Sequence, residues 1–238
     1  MLSSYYYTDK GGRSENEDCC RVFGNDYDDF CAVVCDGLGG HGGGGLASRA
    51  AAESFEKTFK SERIRDPNEF NVWFQIANQN VLEIQTDECK MKTTAVVLVI
   101  SDRKALWAHV GDTRLYHFVN NRLVEQTFDH SVSQMAVLSG EIGQREIRGH
   151  ADRNKLLRAL GRDDRIDTEI SGVLSVEGGR HAFLLCTDGF WEYVFEDEME
   201  QALAESEKPR EWMKKMVEKV KKRAKKGSDN RSAIAVFV

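Results

Sequence analysis

Apolar positions fall in short runs punctuated by Gly, Asp and Asn. Residues 4–9, 19–23 and 30–36 are rich in Tyr, Val, Phe and Cys and are predicted strands. Two helices follow. Leu46 to Lys60 carries Ala, Phe and Lys at helical spacing. Pro67-Asn68-Glu69 opens the second, with Phe70, Phe74, Ala77, Val81 and Ile84 along one face. Four closely spaced strands come next: Thr94–Ile100, Ala105–Val110, Arg114–Val119 and Arg122–Gln126. Their connections contain Asp102, Gly111-Asp112 and Asn120-Asn121, which predicts antiparallel hairpins. Ser131–Leu138 reads as a helix, and the polar stretch after it, with Gly140, Gly143 and Gly149, is the expected mobile flap within residues 131–165. Strands are predicted again at 165–173, 181–187 and 232–238, with helices at 196–204 and 209–226.

Where the apolar runs stop, acids begin. Glu17-Asp18, Asp36-Gly37, Asp188-Gly189 and Asp229-Asn230 each stand at such a boundary. Asp-Gly is an ordinary turn pair, so one instance means little. Four carboxylate positions at strand ends mean more. Like charges gathered together repel and raise one another's pKa values unless a cation offsets them, so the pattern points to bound divalent metal.

The chain of 238 residues is 41% hydrophobic, enough for a full core, and neither a repeat nor a linker divides it, so one domain spanning 1–238 is expected. Its 33 basic and 39 acidic residues give a net charge of −6, which offers no general attraction to nucleic acid or anionic membranes. Met1-Leu2-Ser3-Ser4 lacks a basic, then apolar, leader, and no run approaches the roughly 18 apolar residues of a membrane span. A cytoplasmic protein is expected. The one strongly basic stretch, 214–226, is interleaved with Met213, Met216, Val217, Val220 and Ala224, the pattern of a helix packed on a sheet with lysines outward. Cys19, Cys20, Cys31, Cys35 and Cys186 lie in strand-like runs without CxxC spacing, so buried reduced thiols are expected rather than zinc ligands or disulfides.

Gly37-Leu38-Gly39-Gly40-His41-Gly42 matches GxGxxG between a strand and a helix, the setting of a dinucleotide fingerprint. The rest of that unit is missing. Glu53 and Glu56 lie inside the helix rather than at the end of a second parallel strand, the next strand comes only after a second helix, and Asp36 puts negative charge before the loop. No Gly-Lys-Ser/Thr ending follows, as a P-loop requires. The glycines are better explained by close approach of backbone to a metal site.

Taken in order, the motifs resemble the metal-dependent serine/threonine protein phosphatases of the type 2C family. Arg13-Ser14-Glu15-Asn16-Glu17-Asp18, Val33-Val34-Cys35-Asp36-Gly37-Leu38-Gly39-Gly40-His41, Thr93-Thr94-Ala95, Val110-Gly111-Asp112-Thr113-Arg114, Asp129-His130-Ser131, Leu157-Arg158-Ala159-Leu160-Gly161, Cys186-Thr187-Asp188-Gly189 and Ser228-Asp229-Asn230 carry the likeness across nearly the whole chain. The resemblance implies an α+β fold: a four-layer α-β-β-α sandwich of two antiparallel sheets flanked by helices. It also implies two Mn²⁺ or Mg²⁺ ions at one edge, with Asp36 bridging them, Asp188 and Asp229 completing one site, and the Gly37 carbonyl and Glu17 completing the other. Asp18, pointing opposite to Glu17, falls behind the ligands. Asp112 resembles the ligand of a looser third ion.

The implied activity is hydrolysis of phosphoserine and phosphothreonine in proteins by metal-activated water, without a covalent intermediate. Arg13 is the expected phosphate grip, its alternative being a salt bridge to a neighbouring acid. Some relatives place histidine after the Asp-Gly pair; here Leu38 stands there, and His41 is the candidate general acid or substrate contact. Glu192 stands where many relatives have aspartate beside the third ion, and Ser232 where threonine is common. A monomer acting on phosphoproteins, opposed by a serine/threonine kinase, is the expected setting. An inactive phosphoprotein-binding relative and a nicotinamide oxidoreductase are the competing readings.

Overall fold

Phe30–Cys35 (β3) is buried at every position, which explains why its sequence shows no alternation of apolar and polar residues. Cys31, Val33 and Cys35 face one apolar cluster, while Phe30, Ala32 and Val34 face another. A strand covered on both faces has no polar side to display.

The computed structural model describes residues 2–39, 43–64, 66–162 and 165–238. Before β3 come β1 (Ser3–Asp9) and β2 (Cys19–Gly24). After it come β4 (Gly37–Leu38), α1 (Gly43–Ser61), α2 (Glu69–Glu83), β5 (Lys92–Thr93), β6 (Ala95–Ser101), β7 (Lys104–Val110), β8 (Arg114–Val119) and β9 (Arg122–Gln126). Then follow α3 (Val132–Leu138), a 3-10 turn at Gln144–Gly149, β10 (Glu169–Ile170), β11 (Leu174–Ser175), β12 (His181–Cys186), α4 (Asp188–Trp191), α5 (Glu196–Ala204), α6 (Pro209–Arg223) and β13 (Arg231–Phe237).

Two antiparallel sheets result. One has the order β1-β13-β12-β8-β9, the other β10-β7-β6-β3-β2, with β11 also on β7 and a small β4-β5 pair apart. Between them lie Val34, Val96, Leu98, Leu115, Phe183, Leu185, Ile234 and Val236. Helices α1 and α2 cover the outer face of the β3 sheet through Phe55, Phe59, Trp73 and Phe74. Helices α5 and α6 cover the other through Met199, Leu203, Trp212, Met216 and Val220. This is the expected α-β-β-α sandwich, and the apolar stripe of the basic stretch is its outermost core layer.

Three boundaries differ from expectation. Helix α1 begins at Gly43, before Leu46: Gly43, Gly44 and Gly45 are all buried, and Gly43 and Gly44 are packed too closely for side chains. A Cβ at Gly43 would stand 2.4 Å from Cys89 Sγ, and one at Gly44 2.7 Å from the Gly37 carbonyl oxygen. Packing thus overrides the poor helix propensity of glycine. The strand predicted at 165–173 shrinks to β10. Its ladder on β7 ends where Trp107 N–H bonds to the Ser171 side chain at 2.8 Å, and pairing resumes only at β11. Asp188-Gly189, read as a turn, instead starts the short α4.

Antiparallel pairing also places the site. The C-terminal ends of β3, β7 and β12 and the N-terminal ends of β2, β6, β8 and β13 fall at one end of the sandwich. Every acidic boundary of the sequence lies there.

Candidate metal centre and active site

A pocket of 510 Å³ opens at that end, lined by Arg13, Glu17, Asp36, Gly37, Asp112, Asp188 and Asp229, with Asn154 and Leu156 on its rim. Each acid is aimed by neighbouring backbone. Asp36 follows β3, its N–H donating to Thr94 Oγ1 at 3.2 Å and its carbonyl accepting from Thr94 N–H at 2.9 Å. Thr94 and Thr113 side chains also bond one another. Glu17 accepts from the Gly45 N–H at the start of α1, and its own N–H donates to Asn230 Oδ1 at 2.8 Å. Gly37 has no room for a side chain: a Cβ would come 2.2 Å from the Gly44 carbonyl oxygen and 2.6 Å from that of Glu17.

Asp112 sits in the β7–β8 turn, where Gly111 takes a φ of +104°. The turn is clamped from three sides. Trp191 Nε1 donates to the Asp112 carbonyl at 3.0 Å, Gly111 N–H donates to His130 Nδ1 at 3.1 Å, and Arg114 makes a two-pronged bond to Asp129 at 2.7 Å. Both members of that ion pair are 1% exposed, and the Arg114 guanidinium lies 3.6 Å from the centre of the Trp191 ring.

The electrostatics are those of a site short of positive charge. Burial, then the charges of Asp18, Asp188, Asp112 and Asp229, pushes Asp36 well above the usual carboxylate range. Asp112 is raised well above it by burial and then by Asp188 and Asp129. Burial, then Asp229 and Glu192, brings Asp188 to about 6. Asp18 reaches about 7, chiefly through burial and against hydrogen bonds from Ser232 and Thr187. Asp18 Oδ1 and Asp188 Oδ1 are buried without any partner. Oxygen ligands of this kind, carrying unmatched negative charge, fit a hard divalent cation such as Mg²⁺ or Mn²⁺.

The structure brings most of the residues singled out in the sequence together. Glu17, Asp36, Gly37, Asp112, Asp188 and Asp229 converge, and Asp18 lies behind them, bonded by Thr187 Oγ1 at 3.0 Å and absent from the pocket lining. Arg13 reaches the rim but is paired in a fork with Asp229, at 3.1 and 2.8 Å. His41 lies outside the described residues. Missed were Asn230, which ties Glu17 to Lys10 and Glu15; Trp191; and Arg153, which bonds Glu192 at 3.1 Å. The sequence carried a signal only for Asn230, as part of Asp229-Asn230.

A second cluster, His109, His130 and Glu169, has ligand-type atoms within 4.8 Å of one another. It does not suit a metal. The two rings stack 7° from parallel, so their lone pairs do not converge. His130 Nδ1 accepts from Gly111 N–H, and its Nε2 is already engaged between the Glu169 carboxylate at 3.3 Å and the Arg158 guanidinium at 3.1 Å.

The family model described as Protein phosphatase 2C matches residues 11–230. The chain belongs to the protein phosphatase 2C family. Among its relatives, the serine/threonine phosphatase stp of Listeria monocytogenes serotype 4b (strain F2365) is 32% identical over 211 residues, covering 85% of this chain and 83% of that one. Among solved structures, the serine/threonine phosphatase Stp1 from Staphylococcus aureus has a TM-score of 0.86 at 26% identity, covering 100% of this chain and 95% of that one. The catalytic domain of PstP, in complex with 2 manganese ions, has a TM-score of 0.82 at 22% identity, covering 100% and 98%. As a protein phosphatase 2C, the chain is a metal-dependent serine/threonine phosphatase. Among the described residues no helix is long and apolar enough to cross a membrane.

Proposed function

We propose that this chain, acting as one catalytic unit, removes phosphate from phosphoserine and phosphothreonine side chains of proteins using two Mn²⁺ or Mg²⁺ ions. The observation that carries the reading is the convergence of Asp36, Asp188, Asp229 and Glu17 on one pocket, with buried carboxylate oxygen left unpartnered. Asp36 would hold both ions, Asp188 and Asp229 one of them, and Glu17 with the Gly37 carbonyl the other. The two manganese ions of PstP support the count. Bound ions supply Lewis acidity: they lower the pKa of water and neutralise phosphoryl charge.

The chain's own residues do the rest. Arg13 stands at the rim with a guanidinium whose fork matches paired phosphate oxygens. It also pairs with Asp229, one of the acids that would hold an ion, so the phosphate grip and the metal site would share a partner. Neither Cys nor His lines the pocket among the described residues; Cys35 is buried, while Cys19 and Cys20, expected to be buried, are half-buried, and desolvation pushes the Cys20 and Cys35 thiols well up in pKa. The carboxylates that would hold the ions favour direct attack by water over a covalent intermediate. His41 remains the candidate proton donor. A cytoplasmic monomer opposed by a serine/threonine kinase completes the proposal.

The test is phosphate release from a phosphothreonine peptide with Mn²⁺, Mg²⁺ or chelator, beside Asp36→Asn. Release that needs metal and disappears in the variant is expected. A fully active Asp36→Asn protein refutes the bridging role.

A further inference from the structure

On one flank of the sandwich both sheets come to an end. There β9 is the last strand of one sheet and β10 the last of the other, so each leaves a backbone edge without a strand partner. A cavity of 470 Å³ lies between these edges, with Trp107 of β7 and Ile170 of β10 among its walls. No residue lines both this cavity and the metal pocket. The β8–β9 register shifts between His117 and Phe118, which leaves Val124 without an opposite residue and bends the edge strand at that point. Val124 and Phe128 are exposed at the cavity, whereas Trp107 is buried.

The charge of the cavity is one-sided. Glu125 from β9 and Glu169 from β10 line it, and the described lining residues include neither lysine nor arginine. His109, the remaining titratable group there, stays neutral near pH 7, because burial and then His130 hold its pKa down to about 4. Glu169 is half exposed and faces His130 Nε2 at 3.3 Å, which Arg158 also approaches. Glu125 makes neither a hydrogen bond nor an ion pair among the described residues, and desolvation pushes its carboxyl up. An acid without a counter-charge, beside the rings of Phe128 and Trp107, is suited to a cation. A guanidinium fits better than an ammonium, since its flat face stacks on an aromatic ring while its fork pairs with a carboxylate. The open edge favours a peptide as its carrier. Leu123 N–H is taken by Glu200 Oε1 at 2.8 Å, but beyond it β9 has no neighbouring strand, and an extended segment pairing there would turn alternate side chains towards the cavity.

We propose that this cavity docks an extended segment of a protein partner, which adds to the β9 edge and places an arginine side chain between Glu125 and Glu169 against the rings of Trp107 and Phe128. The partner is then held beside the metal pocket without occupying it. Glu169 pairs with His109, one residue before β7 ends at the catalytic end, and Phe128 directly precedes the Asp129 and His130 that clamp the Asp112 turn.

Calorimetric titration of the intact chain in Mn²⁺ tests the proposal without reference to activity. The probe is a short blocked peptide of valine and threonine with arginine at its centre, compared with the same peptide carrying uncharged citrulline. The arginine peptide is expected to bind at least about tenfold more tightly, the usual margin for a hydrogen bond to a charged group. Glu125→Gln, at an exposed position where folding is not at stake, should cut that preference below about threefold, and Val124→Lys, which sets a like charge at the mouth, should do the same. Asp36→Asn should bind the arginine peptide as the parent does. Equal binding of the two peptides, no binding of either, or a preference that survives Glu125→Gln overturns the proposal. So does binding lost in Asp36→Asn, which would put the peptide in the metal pocket instead.

Discussion

Replacing Asp18 by Asn in the metal-free protein should stabilise it, and the gain should grow with pH. Asp18 has one carboxylate oxygen bonded by Thr187 and the other buried without a partner. Burial first, then Asp188 and Asp229, brings its pKa to about 7 from the ordinary carboxylate value of 3.8. The fold therefore holds the Asp18 proton more tightly than the unfolded chain does. That contribution is fully present below the unfolded value and is lost as pH rises through the folded one. The loss amounts to about 4 kcal/mol at 1.36 kcal/mol per unit.

Asn keeps the shape and can still accept from Thr187, but it never ionises. In chelator the variant should match the parent within about 1 kcal/mol at pH 4 and exceed it by up to about 4 kcal/mol at pH 8. For a domain of this size that is roughly 8–16 °C in melting temperature. Saturating Mn²⁺ should reverse the order, since ions that bind only the folded state stabilise the protein with the stronger site more. Melting curves across pH, in chelator and in Mn²⁺, carry the test. An Asp18→Asn protein less stable than the parent in chelator at pH 8 refutes the claim that unmatched charge strains this end of the sandwich.

Asp129→Asn should cost roughly 3–5 kcal/mol in denaturant unfolding, because it leaves the Arg114 guanidinium buried without its counter-charge; a loss under about 1 kcal/mol contradicts that accounting. Gly37→Ala should cost about 1–3 kcal/mol and weaken Mn²⁺ binding, since its Cβ must displace the backbone of both Gly44 and Glu17; unchanged binding by calorimetry means the backbone there yields. His109 is held down to about 4 by burial and by the neighbouring His130, so its folded pKa lies below the unfolded value of 6.5. Its contribution is present above pH 6.5 and is lost on acidification, about 2–3 kcal/mol by pH 4.5. The urea midpoint of His109→Gln should therefore fall less steeply over that range than the parent's, and parallel slopes refute the assignment.

What the chain discloses about itself divides along a physical line. Contacts that recur at fixed spacing were legible: the apolar face of α2, the β6-β7 and β8-β9 hairpins, and the stripe of α6 all obey local periods. The Gly111-Asp112 connection, expected to close a hairpin, instead crosses from one sheet to the other. The acids were legible because a strand that ends in a carboxylate must put it at the sheet's edge, and antiparallel pairing brings such edges together. The glycine run was expected to let backbone approach a metal site. In the structure Gly37 and Gly44 let two backbone segments approach one another, and Gly43, Gly44 and Gly45 enter α1, where propensity argues against a helix and packing decides for one.

Contacts without a period stayed hidden. Nothing in Arg153 or Glu192 alone announces that they meet, 39 residues apart. Nor does Trp191 announce that its indole holds the Asp112 turn. These contacts belong to the same arrangement as the acids they support. A cluster of repelling carboxylates tends to push its strands apart, so the turns bearing it need fixing from outside the cluster. Arg114, Asp129, Trp191 and His130 supply that fixing around Asp112, and Asn230 supplies it around Glu17. None of them places a charged group of its own in the pocket. Their burial is what lets the chain keep the strained cluster assembled while it waits for metal.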